Sequence, residues 1–288
     1  SSLIFADNAD GCGLWFSPVY KSHDSDDFDA QGVDYGADID LYGAALGVDY
    51  TTSFGLRFGG FFNVGAGDAD SKGVADDVSN DFDYFGVGLY GGMNFGKLGL
   101  SADLGYTQVD NDIDMSNHGY HGMADTSAST DTSAFTAGLR AEYKFELHAL
   151  DITPHLGLRY TNLDMDNYSV KADKRYASTS ADSMNVFSIP VGVTFSKEIA
   201  AGQWLVKPVF DLTVTANAGD TEIDTDTTFE GVEKLSLTTE VMDDFTYGGT
   251  LGIDAKYGQS VSFGVGVNYV GSSSADEFGV SGNIRFMF

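Results

Sequence analysis

The sequence predicts an all-β fold: a transmembrane up-and-down antiparallel β-barrel of about twelve strands, with short periplasmic turns and long acidic extracellular loops. Three observations predict it. Apolar and polar residues alternate with period two along nearly the whole chain, while helical periodicity is almost absent. The connections between alternating segments are mostly short and long by turns, as in a meander whose two ends face different surroundings. The polar face is rich in Gly, Ser, Thr and Asn, too small a set to make a solvated charged exterior, so the large apolar face is expected to meet lipid.

The strands follow in order. The first is expected over 12–22. The second, 35–50, does not keep one phase: Ile39 and Leu41 fall opposite Tyr42, Ala44, Leu46 and Val48, and a bulge is expected to reconcile the halves. The next three occupy 54–68, 81–95 and 98–109. The sixth, 132–146, sets Phe135, Ala137, Leu139, Ala141, Tyr143 and Phe145 against Thr136, Gly138, Arg140, Glu142 and Lys144. Strands over 151–167, 185–197, 203–217 and 243–257 precede the eleventh, 260–271, where Val261, Phe263, Val265 and Val267 oppose Ser262, Gly264, Gly266 and Asn268. The last, 277–288, ends on an aromatic, with Ile284, Phe286 and Phe288 on one face and Asn283 and Arg285 on the other. It must pair with the first strand to remove both edges. Twelve strands place both termini on the short-turn side.

Composition narrows the function. Asp and Glu outnumber Lys and Arg by 43 to 15, a net charge of −28, which excludes nucleic acid as a default partner. Disordered chains are poor in aromatics, yet this one has 21 Phe, 15 Tyr and 2 Trp that need burial in a core or in lipid. Its single cysteine, Cys12, excludes an internal disulfide and a cysteine-based zinc site. No stretch approaches the ~20 apolar residues of a membrane helix. Aromatics near strand ends are expected to form interfacial girdles: Trp15, Tyr20, Tyr50, Phe95, Tyr106, Tyr143, Phe145, Tyr160, Trp204, Tyr257 and Tyr269.

The inward face is expected to carry charges of both signs. They are Arg57, Asp103, Arg140, Glu142, Lys144, Arg159, Lys207, Asp211, Asp254, Lys256 and Arg285, with His155 and Asn268 beside them. The plain reading of these groups is ion pairing across the lumen. A carboxylate in such a confined site is also a possible base. His118 and His121, three apart, lack further ligands nearby, so no metal is expected. No nucleophile elbow is present, and the Gly-rich runs lie inside strands with no helix after them, so no cofactor or phosphate loop is expected. The acidic stretches HDSDDFDA and TEIDTDTTFE do not fit a twelve-residue Ca²⁺ loop and read as solvated surface loops that also face lipopolysaccharide and its bridging cations.

Three stretches carry a family resemblance: GLWFSPVY at 13–20, GADIDLYGAALGVDY at 36–50 and FGVSGNIRFMF at 278–288. Together they resemble the first, second and last strands of the C-terminal translocator domain of type V autotransporters. The second-strand motif falls on Gly43, Gly47, Val48, Asp49 and Tyr50. The resemblance implies a Gram-negative outer-membrane barrel, expected as a monomer, that anchors its own N-terminal passenger and helps export it to the cell surface. It implies Ile284, Phe286 and Phe288 as a signal to the barrel-assembly machinery, and a passenger or linker in the lumen. It implies that 12–288 form the barrel and 1–11 the remnant of a linker or luminal helix. Some relatives cut their passenger inside the barrel at an Asn, for which Asn8 is the one position available in that remnant, but no catalysis is expected of this chain. The alternative is a twelve-stranded solute channel with the charged lumen as its filter.

Overall fold

The structure, a computed structural model, describes residues 10–29, 34–73, 78–116, 125–172, 175–229 and 234–288. No helix occurs among them, so none is long and apolar enough to cross a membrane, which says nothing against crossing by strands.

Twelve antiparallel strands close into a barrel. They are β1 (Gly11–Asp29), β2 (Asp34–Thr51), β3 (Arg57–Gly73), β4 (Val78–Phe95), β5 (Leu98–Met115), β6 (Thr126–Tyr143), β7 (Asp151–Met165), β8 (Met184–Ser196), β9 (Trp204–Gly219), β10 (Phe245–Tyr257), β11 (Val261–Gly271) and β12 (Ala275–Met287). Each pairs with its sequence neighbours, and β12 pairs with β1 from Gly13↔Met287 to Ser25↔Ala275. The seam also joins the last residue: Cys12 N donates to Phe288 O and Phe288 N to Cys12 O, both at 3.0 Å. No edge is left on the barrel.

The sense of the alternation is inverted, as the sequence suggested. Along β2, Leu46, Val48 and Tyr50 are exposed while Gly47 and Asp49 between them are buried. Bare large side chains on the outside cost nothing in hydrocarbon, whereas unpaired backbone would cost several kcal/mol. Nine of the girdle aromatics stand exposed on this outer face, with pairs such as Trp204–Tyr257 at 5.0 Å and Tyr143–Phe145 at 4.8 Å between ring centres. Tyr160 is half-buried against Phe187. Trp15 departs from the expectation: it lines the lumen and donates its indole N–H to Tyr90 Oη at 2.7 Å. An indole that finds a polar partner inside has no need of the interface.

Three expectations change. The second strand has no bulge near Leu41: its ladder to β3 is continuous, and Ile39 and Leu41 face inward with Gly43. The register shift lies instead between β1 and β2, at Ser25/Phe28. The turn after β2 is longer than 51–53, because β3 begins only at Arg57 and Thr52 and Leu56 close the turn. Most importantly, much of the supposed loop sequence is strand. β1 through β6 run 17–19 residues each, well beyond the ~9–11 that cross the hydrocarbon. HDSDDFDA lies mostly in β1, and the stretch TEIDTDTTFE largely in a strand of a separate sheet. That four-stranded sheet is made by the two longest connections, in the order Leu235–Glu240, Glu222–Phe229, Arg175–Ala181, Tyr168–Ala172.

The extensions sort charge by face. In the outer parts of β2–β6, Asp38, Asp40, Asp68, Asp70, Asp81, Asp83, Asp110, Asp112, Asp114 and Asp131 share the outward phase. The inward phase between them is uncharged, with Asn80 donating to Asn111 at 3.0 Å and Asn111 to Thr132 at 3.2 Å. Strict period-two alternation of Asp with neutral residues is what selects strand over coil here. Among the described residues the one cation on this face of β2–β6, Lys72, bridges Asp24 at 2.7 Å and Asp38 at 2.6 Å.

Candidate functional site: the lumen

Two polar clusters and a cavity make up the lumen. The first cluster ties the seam near its periplasmic end. Asp49, from the Gly-Val-Asp-Tyr stretch of β2, is inward by phase and has no exposed side-chain surface. Arg285 of β12 reaches across β1 and grips it with both guanidinium nitrogens, Nη1 to Oδ2 at 2.7 Å and Nη2 to Oδ1 at 2.5 Å. Tyr90 of β4 donates to Asp49 Oδ2 at 2.6 Å. Arg57 Nε lies 3.9 Å from Asp49 Oδ1 and donates to Thr51 Oγ1 at 2.9 Å. Two charges in a low-dielectric wall are tolerable only with such geometry. Close approach needs glycine: a Cβ at Gly13 would press on Arg285 and Asp49, and one at Gly47 would overlap the Trp15 ring.

The second cluster spans β7, β8 and β9. His155 Nε2 lies 2.8 Å from Asp211 Oδ2, Thr194 donates to the same oxygen at 2.5 Å, and Thr213 donates to Oδ1 at 2.7 Å. Both carboxylate oxygens are thereby engaged. Elsewhere Arg159 Nη2 donates to both oxygens of Asp103 at 3.1 Å, and Arg140 Nε to Glu142 at 3.4 Å. Lys144 sits at the end of β6, 3.4 Å from both Glu146 and Asp151. Asn268 is inward and fills the space that the absent side chain of Gly279 leaves.

Beside the first cluster, and lined in part by Tyr90 and Arg285, lies a cavity of about 570 Å³. One wall presents Trp15, Phe61 and Tyr90, whose ring centres are 6.1–6.4 Å apart. The other presents Lys207, Asp254 and Lys256. Lys207 and Asp254 are direct cross-strand partners. Among the described residues no three His, Cys, Asp or Glu gather to hold a metal. His118, His121 and Asn8 lie outside the described residues. The sequence reading named inward charges without their partners, and it did not name Asp49, Lys21, Glu277, Trp15, Tyr90, Thr51, Thr194 or Thr213 as lumen residues. Phase alone marks Tyr90 and the threonines as inward, while their partners depend on strand stagger.

A closed twelve-stranded barrel with lipid-compatible residues outside and paired charges inside defines an outer-membrane β-barrel protein. The autotransporter β-domain family model matches residues 14–268, and the chain belongs to that family of translocator domains. Solved structures share the fold. The translocator domain of the autotransporter NalP from Neisseria meningitidis has a TM-score of 0.74 at 13% identity, covering 99% of this chain and 91% of that one. The β-domain of the Bordetella autotransporter BrkA gives 0.69 at 16%, covering 97% and 100%. The transport unit of AIDA-I from Escherichia coli gives 0.66 at 13%, covering 98% and 92%. The toluene transporter TodX of Pseudomonas putida is more distant, at 0.51 and 9%. No curated protein matches the chain.

Proposed function

We propose that this barrel threads a segment of its own polypeptide through the lumen and anchors that passenger in the outer membrane, without catalysis by lumen side chains. The supporting observation is the cavity between the aromatic trio and the Lys207–Lys256 wall, beside the start of β1. A chain leading into Gly11 arrives at the periplasmic mouth, where Thr51 and Phe288 flank it. An amphipathic segment has partners on both sides: rings for an apolar face, ammonium groups for carboxylates. Residues 1–11 are the proposed end of this segment.

Four of the lumen acids read as structural; Asp254 on the cavity wall is a further lumen acid. Asp49, Asp103, Glu142 and Asp211 all hold hydrogen-bonded partners, which leaves little of their acceptor capacity for proton transfer. The outward Ile284, Phe286 and Phe288 are proposed as the feature that the barrel-assembly machinery reads. Lipopolysaccharide is proposed to surround the acidic outer face through its bridging cations. A barrel with no free edge is expected to stay monomeric.

Single-channel conductance in planar bilayers tests the reading, on this chain and on a form extended by its native upstream residues. We expect the shorter form to conduct and the extension to close it. Equal, ion-selective conductance of both forms would instead make the protein a channel.

A further inference from the structure

The cavity is not bounded evenly. On the β1–β5 side, inward glycines lie under side chains: Trp15 over Gly47, Tyr84 over Gly43 and Gly65, Phe82 over Gly67 and Phe61 over Gly88, with Asn63 at Gly86 and Thr136 at Gly105. A ring over a glycine restores packing that the missing side chain gives up. On the opposite side, Gly252 of β10 and Gly266 of β11 are direct cross-strand partners lining the cavity. A Cβ at either would meet backbone alone, at 3.1 Å from Val265 O and 3.5 Å from Leu251 O.

The neighbouring seam is interrupted at the same height. Paired residues run to Phe16↔Ile284 and resume at Val19↔Ser281. Pro18 has no N–H to give, and the Ser17 hydroxyl takes up Gly282 O instead, at 2.7 Å. Above and below this gap the seam is held. The Arg285–Asp49 pair and the Cys12–Phe288 backbone bonds hold one end, and Lys21–Glu277 at 2.8 Å holds the other. β10, β11 and β12 are also short, at 13, 11 and 13 residues.

We propose that β10–β12 form a compliant panel, fixed at its two ends, whose middle bows outward to widen the lumen while β1–β6 keep their shape. Each bare glycine leaves its strand segment without side-chain packing, and the proline gap removes a ladder bond from the panel's free side. The ring-covered wall has no such deficit. The inference concerns the barrel itself and stands whether a polypeptide or a solute passes through it.

Hydrogen exchange on the full chain in lipid nanodiscs tests it. Protection factors for amides in 248–254 and 262–268 are expected to be about tenfold or more below those in 43–49 and 61–67. Equal or greater protection in the panel overturns the proposal, and this comparison needs no variant. In the Gly252→Ala/Gly266→Ala double variant, panel protection should rise at least about threefold while 43–49 stays unchanged. A folded variant with unaltered panel exchange would equally overturn it.

Discussion

At the scale of single residues, Asp49 and Arg285 carry the most weight. The pair is buried and bidentate, so removing one partner strands a charge in a dry wall. Arg285→Ala is expected to cost about 3 kcal/mol in urea unfolding of the refolded barrel. Asp49→Ala/Arg285→Ala together should cost clearly less than the sum of the two single changes. A second residue-scale case lies outside the membrane, where Asp243 joins the β9–β10 connection to the turn after β11. Burial opposes its charge, but hydrogen bonds from Ser273, Ser272 and Ser274 outweigh that and hold its carboxyl below the usual 3.8. A depressed folded pKa gives stability that is present above the unfolded value and lost as pH falls through the folded one. Acidification past the usual carboxylate value and through the lowered folded one should therefore release this clasp, read as lost protection of the Ser274 amide, which donates to Asp243 at 3.1 Å. Asp243→Ala should produce the same loss at neutral pH. Asp49 was noted only as part of the second-strand motif, while the inward phase of Arg285 was legible from alternation. Their meeting was not, because they are separated by 236 positions and joined only by barrel closure.

At the scale of elements, the twelve strands and their order were readable because period-two patterning survives in every one. Their extracellular ends were not. Runs such as Asp68-Ala69-Asp70 and Asp110-Asn111-Asp112 look like solvated loop by composition, yet their alternation is a strand signal once neighbouring strands supply the ladder. The resulting sheet places like charges opposite one another: Asp40 faces Asp68, Asp68 faces Asp81, and Asp81 faces Asp112. Direct like-charge pairs cost roughly 0.2–1 kcal/mol each and are screened by salt. Asp81→Asn is accordingly expected to stabilise the barrel by about 0.5 kcal/mol at low ionic strength, with the gain fading at high salt in parallel urea titrations. No gain at low salt would mean that these carboxylates are neutralised in another way. The two hairpins that build the separate four-stranded sheet were likewise hidden in 168–184 and 217–242, since short strands pairing across distant connections leave no local signature.

At the scale of the whole molecule, the barrel divides along its axis. The lower lumen holds paired charges, rings and a cavity, while the upper wall of β2–β6 is uncharged inside and acidic outside. If lumen acids are structural, the purified chain incubated at neutral pH keeps its intact mass, and Asp254→Asn behaves as the parent does. Appearance of a cut near Asn8 that depends on Asp254 would reverse that reading. The sorting of carboxylates to the outer face has a consequence for whatever emerges. Within β2–β6 the described carboxylates of this end stand on the outer face, so that part of the exit path carries no charge with which to discriminate by sign. Acidic, basic and neutral cargo would leave it on equal terms, and a surface protein carried by such a barrel is free to change its isoelectric point without any matching change in its carrier.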